Sequence, residues 1–178
     1  MRCVVLGFIG AFGLAAVASG AAVTYTNEAD FLNQLAPGYY LENFDAFTFG
    51  SYTDATLDLA QGPWAYTIGA AGDGTNTLYS GDSNMSTNSA GDALTVNFTG
   101  QDVYAVGGFF FPGDIGGFFL AGPMEITLSD GTFYTFDAVS DTDFVGFISD
   151  TPILSMTIEA PDVNDIFAWP TMDHFYVG

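Results

Sequence analysis

Beyond Cys3 the chain contains no lysine, no arginine and no cysteine, yet it carries 21 aspartates and glutamates. Neither a disulfide nor a Lys or Arg ion pair can hold such a chain together. Apolar burial and hydrogen bonds must supply its stability. Hydrophobic residues make up 49% of the sequence and aromatic residues 16%, so the high negative charge does not signal a disordered polymer. The same deficit removes whole classes of partner. Nucleic acid is bound by displacing counterions with Lys and Arg, which are absent here. Anionic membrane surfaces repel a chain whose formal net charge is −20.

The one basic residue belongs to what reads as a leader. Met1-Arg2 is a basic start, Cys3 to Val17 is an apolar run, and Ala18, Ser19, Gly20, Ala21 and Ala22 are small. This is the three-part pattern of a secretory signal peptide. It predicts export to the extracellular space or cell surface, with cleavage after Ala18 or after Ala22. An uncleaved N-terminal anchor is the alternative reading of the same run. The division expected is a leader over 1–22 and a single domain over 23–178, long enough to bury a core without cross-links.

That domain reads as all-β. The stretch TNEADFLNQL, Thr26 to Leu35, combines a capping Thr or Asn with early acids and with Phe31, Leu32 and Leu35 on one side. It predicts one short N-terminal helix, stopped by Pro37-Gly38. From Tyr39 onward, short β-branched and aromatic runs alternate with Gly, Asp, Asn and Pro. Strands are expected at Tyr39–Phe44, Trp64–Ile68, Thr77–Ser80, Ala93–Phe98, Val103–Phe111, Met124–Ser129, Thr132–Asp137, Phe144–Ile148, Leu154–Glu159 and His174–Val177. In MEITLSDGTFYTFDA the dipeptide Asp130-Gly131 predicts a hairpin with a type I′ turn. The fold class expected is a two-sheet antiparallel β-sandwich or jelly roll. The polar stretch from Gly69 to Asp92 reads as an excursion outside the sheets, with one short strand at Leu78-Tyr79.

GGFFFPGDIGGFF, Gly107 to Phe119, raises a question of its own. Asp114, Pro112 and the nearby glycines exclude a membrane hairpin. Alternation puts Val103, Ala105, Gly107, Phe109 and Phe111 on one face and Tyr104, Val106, Gly108 and Phe110 on the other. Both faces are apolar, so the run is expected to be a central strand covered on both sides, with PGDIGG as a turn. The alternative is an exposed aromatic patch at Phe110 or at Phe118 and Phe119, serving subunit contact or stacking on a sugar ring. Trp64 and Trp169, with Tyr39, Tyr40 and Tyr66, are further candidate platforms, with core burial as the other reading.

The segments STNSAGDALTVNF, VYAVGGFFF, ITLSDGTFYTF, FVGFISDTPILSMTIEA and MDHFYVG resemble exported bacterial β-sandwich proteins of the PEP-CTERM, exosortase-sorted type. The resemblance implies export and a sandwich. It brings no catalytic residue with it. Proteins of that type continue into a Pro-Glu-Pro motif, an apolar helix and a basic end, which residues 1–178 do not include. Either the tail lies outside this sequence or the protein is released or assembled without it.

The inventory of reactive groups narrows the chemistry. With His174 as its single histidine and no Lys or Cys beyond Cys3, the chain offers no thiol nucleophile, Schiff base or multi-histidine metal site. Asp173-His174 lacks a Gly-x-Ser-x-Gly partner. Glu28, Glu42, Glu125 and Glu159 show no local pairing of the kind a two-carboxylate glycoside hydrolase needs. Carboxylates and amides in loops do suit calcium. The candidates are Asp73 with Asn76, Asp82 with Asn84, Asp92, Asp141 with Asp143, and Asp162 with Asn164 and Asp165. A solvated acidic surface is the alternative reading of each.

The function expected is a non-catalytic secreted structural or surface module, a matrix, coat or filament subunit stabilised by cations. A calcium-assisted, lectin-like glycan binder is the alternative, and a glycoside hydrolase a distant third. Partners would then be further copies of the chain or a neutral extracellular glycan. One test follows from composition alone. Trypsin, which requires Lys or Arg, should leave the denatured chain uncut beyond residue 22, and mass spectrometry showing any tryptic boundary there would contradict the sequence.

Overall fold

The computed structural model describes residues 21–51, 56–81, 83–162 and 166–178. Most of the expected leader, up to residue 20, lies outside the described residues, as do Asp82, Asn164 and Asp165. In chain order the elements are β1 (Val23–Tyr25), α1 (Glu28–Leu32), β2 (Tyr40–Glu42), β3 (Gly50–Ser51), β4 (Thr56–Gln61), β5 (Trp64–Ala71), β6 (Leu78–Ser80) and β7 (Met85–Thr87). They continue as β8 (Ala93–Phe98), β9 (Val103–Gly113), β10 (Gly122–Leu128), β11 (Phe133–Ala138), β12 (Phe144–Ile153), β13 (Ser155–Glu159) and β14 (Trp169–Val177).

These strands make two antiparallel sheets, as expected of a sandwich. One sheet runs β1-β12-β9-β14-β7-β6-β3, with β2 also on β14, and the other runs β11-β10-β13-β8-β5-β4. From β8 onward the chain passes repeatedly from sheet to sheet, which is the winding of a jelly roll. Alternation works as the pleat requires. In β8, Leu94 and Val96 point inward, and in β13 Met156 and Ile158 do, while their neighbours face outward. They meet Val106, Phe110, Phe147, Met172 and Phe175 of the opposing sheet in one continuous core. Among the described residues no helix is long and apolar enough to cross a membrane.

Strand β9 is covered on both faces. Its inner side joins the main core, while Ala105 on the outer side packs in a second cluster with Phe31, Phe144 and Tyr176. The helix supplies the lid. Asn27 caps it by accepting the N–H of Asp30 at 3.0 Å, and the Tyr176 hydroxyl donates to Glu28, tying α1 to β14. Phe31 then sits directly over the paired glycines Gly107 and Gly146. A Cβ built on Gly146 would lie 2.6 Å from the Phe31 ring, so only glycine permits this approach.

Several expectations are corrected. Phe110 is fully buried, so it forms no exposed patch. The hairpin at Asp130-Gly131 is not type I′, because Asp130 does not take a positive φ whereas Gly131 does, at 90°. Gly131 N–H donates to Leu128 O and Leu128 N–H to Thr132 O, which describes a type I turn closed by a glycine bulge. The Asp130 carboxylate accepts the Thr132 N–H at 2.8 Å, and this local bond favours the three-residue loop. The polar stretch from Gly69 to Asp92 does not stay outside the sheets. It contains β6 and β7, and β7 pairs with β14. The helix is one turn shorter than expected, and β4, whose TLDLAQ has few β-branched residues, gave no sequence signal.

Three substitutions check this packing. Gly146→Ala should cost about 1–3 kcal/mol through overpacking against Phe31, and Phe110→Ser at least about 3 kcal/mol, both read as lower denaturation midpoints. Phe118→Ser, at a side chain 73% exposed, should leave the midpoint unchanged.

Candidate functional site

Strand β14 begins at Trp169, whose register partner on β9 is Gly113. Two residues on, Thr171 pairs with Ser86 of β7, so β14, β9 and β7 meet around one point. Beside it lies a cleft of about 150 Å³ lined by Trp169, Tyr79, Asn84, Asn88, Asp114 and Ile115. Its floor is a buried hydroxyl chain, in which Thr171 donates to Ser86 at 3.1 Å and Ser86 donates to the carbonyl of Pro170 at 3.0 Å. Gly113 keeps that floor open, since a Cβ there would sit 3.1 Å from the Thr171 hydroxyl.

The turn after β9 makes one wall, and Asp114 organises it. Its carboxylate accepts the N–H groups of Gly116 and Phe118 at 2.8 and 3.0 Å, while its own N–H donates to Phe118 O. Gly117 completes the turn in the left-handed region. Ile115 and Phe118 are therefore held outward, 89% and 73% exposed. Tyr79 forms the opposite wall and meets the exposed ring of Phe49 edge-on at 5.6 Å. The cleft thus combines an indole, a phenol, two side-chain amides and several hydroxyls.

The expected platforms fall into groups that sequence spacing did not show. Trp169 lines the cleft, and Phe118 stands on the neighbouring turn. Phe119 packs inward, 6.2 Å from Phe111. Tyr66 is 1% exposed and is core, not a platform. Trp64, Tyr39 and Tyr40 come together with Gln61 at a separate shallow depression. Burial and the adjacent Glu42 carboxylate push the Tyr40 phenol well above its ordinary value, so it stays a neutral donor.

Of the expected calcium ligands that are described, Asp92 and Asp143 accept backbone N–H groups. Asp92 is 1% exposed and accepts the N–H groups of Gly74 and Asn76 at 2.7 and 2.9 Å. The Asn76 amide oxygen accepts the N–H of Gly72, and Asp73 is exposed on the same loop. Asp143 accepts from Val139 and Ser140 at 2.6 and 3.0 Å, and Asp141 from the Ser140 hydroxyl. Asp162 lines an open depression with Glu125 and Glu159, which are direct register partners on β10 and β13. Their sequence separation conceals that pairing. Among the described residues no three His, Cys, Asp or Glu side chains gather as a metal site.

His174 occupies a bulge. Between Asp173 and Tyr176, β14 has one residue more than β9 has between Phe109 and Gly107, and His174 takes φ 46°. The bulge leaves Asp173 and His174 side by side on the outer face, with the imidazole 5.0 Å from the Phe109 ring. The imidazole Nδ1 lies 3.0 Å from the Asp173 carboxylate without hydrogen-bond alignment.

No family model, curated protein or solved structure matches the chain.

Burial raises Asp173 above its ordinary 3.8, offset in part by His174 and reinforced by Asp45. A carboxyl whose folded pKa is raised disfavours the fold while ionised, and that penalty fades as pH falls through the folded value. Asp173→Asn should therefore raise the melting temperature near neutral pH, with the gain shrinking towards pH about 4. A gain independent of pH would contradict this assignment.

Proposed function

We propose that the domain is a non-catalytic, exported surface module that holds a neutral glycan in the cleft beside Trp169. The observation that carries this reading is the composition of that one cleft. Aromatic rings at Trp169 and Tyr79 lie with the amides of Asn84 and Asn88 over a floor of hydroxyls. A pyranose ring has an apolar C–H face and a belt of hydroxyl groups. An indole face suits the first, and amides, which donate and accept together, suit the second. The surrounding acids would repel an anionic polysaccharide and leave a neutral one unopposed.

Export rests on the basic, apolar and small-residue order of the N-terminus and on the resemblance to exported sandwich proteins. Of the two cleavage points, the one after Ala18 suits the fold better. Ala22 packs against the core and donates its N–H to Thr132 at 2.9 Å, contacts that cleavage after Ala22 would remove. A matrix or coat role fits a glycan-holding module. Cations enter the reading through the unopposed carboxylates. Calcium at millimolar concentration should then raise the melting temperature more than sodium at equal ionic strength, by binding preferentially to the folded chain.

The test is a neutral-glycan array followed by titration calorimetry on the best ligand. Trp169→Ala should weaken binding by at least about tenfold with little change in melting. Wild-type protein that binds no neutral glycan would sink the reading.

A further inference from the structure

Trp64 opens β5 in the other sheet and lines a depression with Tyr40 of β2, which pairs with the far end of the strand that begins with Trp169. Tyr40 is the register partner of Val177, the last residue of β14, whereas Trp169 is the first. The eight steps from Trp169 to Val177 span roughly 26 Å at about 3.3 Å per residue. The depression there has a volume of about 260 Å³ and is lined by Trp64, Tyr39, Tyr40 and Gln61 with the turn Gly62-Pro63. Gln61 and Trp64 are the closing pair of the β4–β5 hairpin, so the indole stands on a hairpin tip. Its Nε1–H donates to the carbonyl of Gly38 at 2.9 Å, which fixes the ring against the segment before β2. Tyr39, 40% exposed, is held by an edge contact to Tyr176 at 5.9 Å.

The geometry points to a second neutral-glycan site at Trp64, which makes the domain bivalent and able to bridge two glycan chains. The inference rests on the glycan reading of the Trp169 cleft and extends it. Three features select the ligand class. The indole is locked with its own N–H already used, so what it offers a ligand is an apolar surface whose ordering cost is met in the free protein. Gln61 is an exposed amide at the rim, able to donate to and accept from hydroxyls. No lysine or arginine occurs beyond Arg2, which leaves anionic ligands without a counter-charge. The two sites lie towards opposite ends of β14, whose end residues are about 26 Å apart, so a short oligosaccharide cannot engage both, but two chains can.

The experiment uses the mature wild-type protein and, as probes too short to reach both ends of β14, maltotriose, cellotriose, mannotriose and xylotriose, with the corresponding polysaccharides. Calorimetry on the probe that binds should show two oligosaccharides per protein. Trp64→Ala and Trp169→Ala should each leave one, and the double variant none. Because Trp64 also packs on the core, Tyr39→Ser with Gln61→Ala serves as a second variant. It should stay cooperatively folded and lose the same site. Wild-type protein should also cross-link and precipitate the polysaccharide, and neither single variant should. One oligosaccharide per wild-type protein, lost only with Trp169, would overturn the second site and leave the cleft reading standing. Precipitation retained by Trp64→Ala would assign the cross-linking to self-association and overturn the inference likewise. Absence of binding to every probe by the wild type would remove both readings.

Discussion

Asp92 is sealed inside the protein, yet its two oxygens are occupied by the peptide N–H groups of Gly74 and Asn76. The same device recurs at Asp114, Asp130 and Asp143, each of which accepts from backbone N–H groups within a few residues of itself. A chain with no lysine or arginine beyond Arg2 has no ammonium or guanidinium to offer these carboxylates. Hydrogen bonds to a charged group contribute about 1.5–3 kcal/mol each. Loops that would otherwise be repelled outward by their own charge are instead closed on themselves, and Asp114 in this way builds a wall of the Trp169 cleft.

The sheets provide what the loops cannot. Strand β9 is covered on its outer face where Phe31 seats on the glycine pair Gly107 and Gly146, and it pairs with β14 along most of its length. The two aromatic sites lie towards opposite ends of β14, one on Trp169 itself and one on Trp64 of β5 beside Tyr40. Function in this reading belongs to side chains held by paired strands, with recognition by shape and hydroxyl pairing rather than by charge. The acidic surface works in the same direction by discouraging anionic ligands and uncontrolled association.

Central strands and the hairpin were legible because their residues obey a period of two over long runs. Ala93–Phe98 appears with the expected bounds, and β9 is covered on both faces over most of its length, but Tyr104 is exposed and Val103, Phe110 and Phe111 share the main core against the expected alternation. The turn type at Asp130-Gly131 was not, because the aspartate's bond to Thr132 favours a geometry that the dipeptide alone does not specify. Strands β4, β6 and β7 were hidden or half hidden, since TLDLAQ and the polar residues around Leu78 and Met85 become strands only through the partners they meet. Local propensity in sheets is weak beside cross-strand packing.

By itself the sequence determined the fold class and the need for carboxylates to find donors other than Lys or Arg. These follow from composition and short-range alternation, which do not depend on who neighbours whom. Only the tertiary structure decided that Phe110 and Tyr66 are core while Phe118 is not. It also decided that Trp169 joins Tyr79 across β14, β7 and β6, and that Trp64 joins Tyr39 and Tyr40 at the opposite end. The reason is strand order. Neighbours in these sheets come from distant parts of the chain, and no pattern within a strand records which other strand will lie beside it.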